Sequence, residues 1–173
     1  PNVALVQAVG GQVGKGIVTD DTGLTTLPDV YAAGDCCESW DITSGESRVL
    51  ALLPNAYLQG ECAGRSMAGE DARFTNAIPM NAIGFFGLHL ITAGSYLGQK
   101  LAAGDENSYK AFFVEDGFLK GFILVGNCLE NAGVYTSLIR ERVPLDTVDF
   151  DLLREHPQFM AFAPSKRREM FGR

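Results

Sequence analysis

Thr25-Thr26-Leu27-Pro28-Asp29-Val30-Tyr31-Ala32-Ala33-Gly34-Asp35 is the stretch on which the reading of the fold turns. Val30 to Ala33 is a β-forming run that tapers to small residues before Gly34 breaks it. The segment therefore reads as a buried strand that delivers an acid at its C-terminal edge. In open α/β sheets that edge is where nucleotides sit. Gly34 lets a phosphate or a sugar-like chain approach the backbone, and the Asp35 carboxylate accepts a hydrogen bond from a hydroxyl. A strand followed by Gly-Asp is also a common way to open a turn, so these residues alone leave both readings standing.

Outward from this stretch, Gly16 to Asp20 (GIVTD) is a second β-type run. Asp21-Thr22-Gly23 is a turn signal between the two runs, which predicts neighbouring strands. After a polar loop from Glu38 to Arg48, Pro54 to Met67 has Pro at its start, apolar residues at Ala56, Leu58, Cys62, Ala63 and Met67, and Gly69 past its end. That punctuation predicts a helix. Gly60 and Gly64 inside it cost about 1 kcal/mol each relative to Ala, and close packing against that face is the expected reason for them.

Arg73 to Met80 is loop-like, and the domain boundary is placed at residue 78. An apolar region follows from Ala82 to Ala93. Tyr109 to Glu115 and Phe118 to Val125 are β-rich runs joined by Asp116-Gly117, a two-residue hairpin turn. Asn131 is read as the cap of a helix running to Val143, with Val134, Leu138 and Ile139 on one face and Pro144 as its stop. Residues 79–150 thus read as a hairpin plus a helix. Residues 151–173 read as a tail, with a short helical pattern and the basic run Lys166-Arg167-Arg168. The expected fold class is α+β.

Composition bounds the function. With 173 residues, 46% of them apolar, and 11 Phe and 5 Tyr as filler, the chain supports a packed core and is not disordered. Its 14 basic and 21 acidic side chains leave a net charge of -7. That sign repels phosphate backbones and anionic bilayers, so no nucleic-acid and no membrane partner is expected. The longest apolar run, Ala82 to Gly94, falls short of the roughly 18 residues of a bilayer span. The N-terminus has no signal-peptide pattern and the four cysteines include no C-x-x-C pair, which points to a cytoplasmic protein with buried thiols. The chain opens on Pro1-Asn2 without Met, which reads as part of something longer.

Thr25 to Asp35, as T-x-x-P-D-V-Y-A-A-G-D, resembles the second flavin-binding motif of the FAD-dependent pyridine nucleotide-disulfide oxidoreductases. Pro1-Asn2-Val3-Ala4-Leu5 is similar to the G-x-x-P-N segment that leaves the NAD domain of that family, without its glycine. Leu53-Pro54-Asn55-Ala56-Tyr57-Leu58-Gln59-Gly60 resembles the P-A-N-x-Q-G helix of the NADH oxidase, rubredoxin reductase and nitrite reductase branch, with the Asn-Ala order exchanged. Residues 109–143 resemble the C-terminal domain of the same branch, so the likeness spans roughly residues 1 to 150.

The resemblance implies that residues 1–78 are the remnant of an α/β FAD-binding domain, followed by a small α+β domain. It also implies FAD as cofactor and NAD(P)H as co-substrate of an intact flavin-dependent oxidoreductase. Gly34 and Asp35 would meet the ribityl chain and phosphate. Pro54, Asn55 and Ala56 would set a helix N-terminus against the flavin pyrimidine ring, where open N–H groups and the positive dipole end favour a reduced flavin. A complete member carries two G-x-G-x-x-G turns, and the nearest string here, Gly10 to Gly16, has the wrong spacing. The implied partners are therefore N-terminal FAD and NAD(P)H domains, a redox protein or small acceptor, and a second copy. The piece alone is expected to be inactive. The alternative is a non-catalytic interaction or dimerisation module with Phe85, Phe86 and the hairpin as its contact surface.

Other candidates divide in the same way. Cys36-Cys37, directly after Asp35, are either redox thiols beside the flavin or packing residues. His156-Pro157 resembles the His-Pro of glutathione-reductase-like enzymes but lacks the acid that would orient it, and is read as a helix terminus. His89 is read as a core or interface residue, and Trp40 as either a cover over the flavin or a loop anchor. Two scattered histidines assemble no metal site, and no catalytic residue is named.

Overall fold

The computed structural model describes residues 1–158, and the chain divides into two compact units, Pro1–Met80 and Asn81–Arg173. Its elements are α+β with antiparallel pairing throughout the registered strands, as the sequence implies.

The first unit opens on a short helix, α1 (Ala4–Ala8), whose first N–H is taken by the Asn2 side chain at 3.2 Å. The two predicted strands, Gly16 to Asp20 and Asp29 to Ala33, form only isolated bridges and are not each other's neighbours. Asp20 is the reason. Its carboxylate accepts from the Thr22 N–H, the Thr22 hydroxyl and the Leu24 N–H, at 2.9, 2.6 and 3.1 Å. That Asx-type turn folds Leu24-Thr25 back between the two runs, bridging Thr19 to Thr25 on one side and Leu24 to Tyr31 on the other. Nor is the second run buried as expected, since Val30 is 38% exposed.

The predicted polar loop is a hairpin, β1 (Ser39–Asp41) and β2 (Glu46–Arg48). Asp41 organises it from a fully buried position. One carboxylate oxygen accepts from the Thr43 N–H and hydroxyl at 2.8 and 2.7 Å, and the other accepts from Nε and Nη2 of Arg48. Helix α2 (Leu53–Met67) agrees with its prediction and buries Asn55, Gln59, Cys62 and Ala63. Gly60 and Gly64 do not fit the close packing expected of them. An added Cβ at either would meet nothing within 4 Å.

The second unit is built on one sheet whose order is β3-β4-β7-β6-β5. Its strands are β3 (Met80–Phe85), β4 (Leu88–Gly94), β5 (Gln99–Gly104), β6 (Ser108–Glu115) and β7 (Phe118–Gly126). The predicted hairpin is β6–β7, and its turn residues Asp116 and Gly117 have φ of 52° and 77°. Two left-handed residues make a type I′ turn, whose twist matches that of the strands. The apolar region from Ala82 to Ala93 becomes the β3–β4 arm, and β5 went unpredicted.

Helix α3 (Ala132–Arg140) covers the sheet, placing Val134, Tyr135, Leu138 and Ile139 against it. Asn131 occupies the N-cap position, but its left-handed φ of 55° turns the side chain away from capping, and the helix stops at Arg140 instead of Val143. Phe112 and Phe122 meet Tyr135 with ring centroids 4.9 and 5.5 Å apart. The buried Tyr135 hydroxyl donates to the Leu153 carbonyl at 2.6 Å, tying down α4 (Phe150–Glu155). His156 ends α4, where a helix terminus was read. The Lys166-Arg167-Arg168 run lies outside the described residues. Among the described residues no helix is long and apolar enough to cross a membrane.

Candidate functional site

Gly34 has φ of 83°, a left-handed conformation that a β-carbon would strain. Its N–H donates to Oε1 of Gln59 at 2.6 Å. A Cβ at Gly34 would lie 3.5 Å from the Cβ of Ala56. The Gly34-Asp35 turn therefore rests against the first turn of α2, so two stretches twenty residues apart in sequence meet at one place. Asp35 is exposed, and no protein group hydrogen-bonds or ion-pairs with its carboxylate among the described residues.

The start of α2 is left open. Leu52 precedes it in extended conformation, no side chain caps it, and its first turn holds no acid. Ala56 donates back to the Leu52 carbonyl at 3.0 Å. Pro54 has no N–H, so the backbone N–H groups of Leu53 and Asn55 carry the positive end of the helix. Asn55 is fully buried. Its Nδ2 donates to the Ile78 carbonyl at 2.9 Å, while Oδ1 has no partner.

Gln59 holds the turn and helix together, a role that the sequence analysis did not assign. Besides Gly34 it takes the Cys37 thiol at 3.4 Å and donates to the Ser39 hydroxyl. A polar residue four positions after Asn55, on the same helix face, was the available signal. An uncapped helix start and an unpaired acid beside a left-handed glycine bring open backbone donors and a carboxylate acceptor to one place, while the partnerless Asn55 Oδ1 is enclosed beneath them.

Cys37 is buried and Cys36 half-buried. All four cysteines are free. The Cys37 thiol donates to the Gly34 carbonyl at 3.2 Å. Burial first, then the neighbouring Cys36, pushes its pKa up to about 12. A raised thiol pKa favours the neutral form. Its stabilising effect is therefore whole below the unfolded value and fades as the pH climbs towards 12. Against the ordinary 9.0, this lowers the thiolate fraction about a thousandfold at neutral pH. Iodoacetamide at pH 8 is accordingly expected to label the half-buried Cys36 and Cys128 in the native protein and spare Cys37 until denaturant is added. Peptide mapping reads this directly, and early labelling of Cys37 would contradict it.

Trp40 is 54% exposed on β1 and, with Cys37, Gln59 and Cys62, lines a cavity of about 280 Å³. Asp35, Asn55 and Ala56 are not on its wall, although Gln59, which accepts from the Gly34 N–H, is. His89 stands exposed on β4 with its ring against Gly84, which removes the core alternative of its reading. Among the described residues no three His, Cys, Asp or Glu side chains gather closely enough to hold a metal ion.

The chain is 32% identical over 154 residues to the epsilon subunit of the NADH-dependent phenylglyoxylate dehydrogenase of Aromatoleum evansii, covering 84% of this chain and 36% of that one. It is 31% identical over 147 residues to an NADH oxidase of Methanocaldococcus jannaschii, covering 73% and 33%. The fold superimposes on a NAD-dependent persulfide reductase from A. fulgidus with a TM-score of 0.79 at 21% identity, over 95% of this chain and 34% of that one. With NADH:rubredoxin oxidoreductase from Clostridium acetobutylicum the TM-score is 0.59 at 24% identity, over 84% and 36%. The chain thus spans about a third of the length of these relatives. Residues 1–60, which carry both the Gly34-Asp35 turn and the start of α2, match the family of pyridine nucleotide-disulphide oxidoreductases, whose cofactors are FAD and NAD(P)H, and to that family this chain belongs.

Proposed function

We propose that this chain is the C-terminal part of a flavin-dependent NAD(P)H oxidoreductase. In this reading residues 1–78 close the FAD-binding domain, 79–150 form the appended domain and 151–173 are a tail. The observation that carries it is the meeting of Gly34 with Ala56, which sets an unpaired acid beside an uncapped helix start. When bound, FAD accepts hydride from NAD(P)H and passes electrons to a disulfide, oxygen or a small redox protein.

The chain's own share is to bind and orient. Asp35 accepts a hydrogen bond from a ribityl hydroxyl, and Gly34 admits the chain and its phosphate to the backbone. The N–H groups of Leu53 and Asn55 donate at the pyrimidine end, and Pro54 and Ala56 hold the helix start in place for them. Gln59 fixes the turn against the helix. The N-terminal FAD and NAD(P)H domains supply the remaining contacts, so the 173-residue piece alone is inactive. Relatives named for rubredoxin support a small redox protein as acceptor. Four free thiols suit the reducing cytoplasm.

The test is Asp35→Ala in the longer gene product. A hydrogen bond to a charged group contributes about 1.5–3 kcal/mol, so FAD affinity should fall about 10- to 100-fold, followed by the fluorescence of released flavin. A gene product without flavin, or an Asp35→Ala variant that holds FAD as tightly as its parent, removes the reading.

A further inference from the structure

Glu38, three residues beyond Asp35, directs its backbone and its carboxylate at one short segment. Its N–H donates to the Ile17 carbonyl at 2.9 Å, and its own carbonyl accepts from the Thr19 hydroxyl at 3.2 Å. Oε1 of the carboxylate accepts from the N–H groups of both Lys15 and Gly16, at 2.7 and 3.1 Å. Those two amides belong to a tight turn, closed where the Gly14 N–H donates to the Gly16 carbonyl at 2.8 Å and Val13 bridges Ile17. A β-carbon at Gly14 would stand 2.5 Å from Oε1, so the glycine is what lets the carboxylate settle onto the turn. The glycine string whose spacing is wrong for a dinucleotide is thus a cradle for a carboxylate of this same chain. Backbone donors on a charged acceptor make the stronger class of hydrogen bond.

What the cradle holds is the chain around Asp35. The N–H of buried Ile17 donates to the Cys36 carbonyl at 2.8 Å. Residues 36 and 38 are therefore pinned to Ile17 from one side, while Gln59 takes the Gly34 N–H from the other. Asp35 lies between the two attachments. We propose that Glu38 is a positioning residue for the flavin: its carboxylate locks the 13–17 turn onto the segment after Asp35, and so fixes the direction in which Asp35 meets a ribityl hydroxyl. The inference rests on the flavin reading above. An acceptor whose backbone can swing must be ordered when the ligand arrives, and that cost falls on affinity.

The experiment titrates FAD into the apoprotein of the longer gene product, followed by flavin fluorescence. Gly14→Ala displaces the carboxylate without altering it. The backbone at Gly14 is not left-handed, and the atom in the way is the far end of a flexible side chain, so the fold accepts the change. Gly14→Ala and Glu38→Ala should each raise the FAD dissociation constant about tenfold. Glu38→Gln keeps an acceptor oxygen and should stay within about threefold of the parent. In the Asp35→Ala background, Gly14→Ala should weaken FAD no further, because the displaced group acts through Asp35, whereas a general loosening of the fold would add to the first effect. Without FAD, the amides of Lys15 and Gly16 should exchange faster in Gly14→Ala than in the parent. The proposal is overturned if folded Gly14→Ala binds FAD like the parent, if Glu38→Gln is as weak as Glu38→Ala, or if the effects of Gly14→Ala and Asp35→Ala add. An Asp35→Ala variant of parental affinity removes the flavin reading itself, which tells the two failures apart.

Discussion

Arg48→Ala is expected to destabilise the first unit by about 3 kcal/mol, and to do so more severely than removal of its partner, Asp41. The asymmetry follows from burial: the Asp41 side chain is fully enclosed, whereas that of Arg48 is 43% exposed. Taking away the guanidinium strands a carboxylate in the interior, and broken buried pairs cost about 3–5 kcal/mol for that reason. The two donors of Thr43 remain, which puts the effect near the lower figure. Asp41→Ala leaves Arg48 free to turn to water and should cost about 2 kcal/mol, the low end for the loss of four hydrogen bonds whose donors can reach solvent. Denaturant melts of both single variants and the double variant measure this, with the double expected to be milder than Arg48→Ala alone. The reverse order would mean that Asp41 is not enclosed. The site feels the same change, because the residue after Asp41 bonds to Ala77, and the carbonyl of Ile78 holds the Asn55 amide at the start of α2.

Phe122→Ala is expected to cost the second unit about 3–5 kcal/mol, the range for truncating an enclosed aromatic. Phe122 is fully buried on β7, opposite Phe112 and under Tyr135. Neighbours held by a hydrogen-bonded sheet on one side and α3 on the other cannot collapse into the space. For a unit of this size each kcal/mol moves the midpoint by about 4–8 °C, so a fall of roughly 12–40 °C should appear in a thermal scan. Phe86→Ala removes the same side chain at a 97% exposed position and should leave the melting of a monomer unchanged. If Phe122→Ala melted with its parent, Phe122 would not lie in the core.

The two phenylalanines also show what sequence can and cannot tell. Both stand in apolar runs, and pattern alone treats them alike. Where turn chemistry is strong the sequence was decisive: Asp116-Gly117 demands two left-handed residues and places β6 and β7. Pro54 and Gly69 likewise bracket α2. Where a single polar side chain directs the backbone, the sequence was mute. The Asp20 turn inserts Leu24-Thr25 between two runs that looked like partners. Asp41 makes a hairpin of a segment whose polarity read as loop. Asn131 stands at a capping position, yet its own backbone rotates the cap away.

The candidate site divides along the same line. Gly34, Asp35 and Pro54 to Ala56 were legible because nearby residues of special character, a glycine needing positive φ, an acid and a helix-starting proline, leave a mark in the string itself. The mark also carries the family. That the turn and the helix start touch, that Gln59 clamps them, and that Cys37 is held as a neutral thiol depend on contacts between positions some twenty apart. Such contacts arise only once the chain has closed on itself, because burial and hydrogen-bond partners belong to the packed interior and not to any one residue.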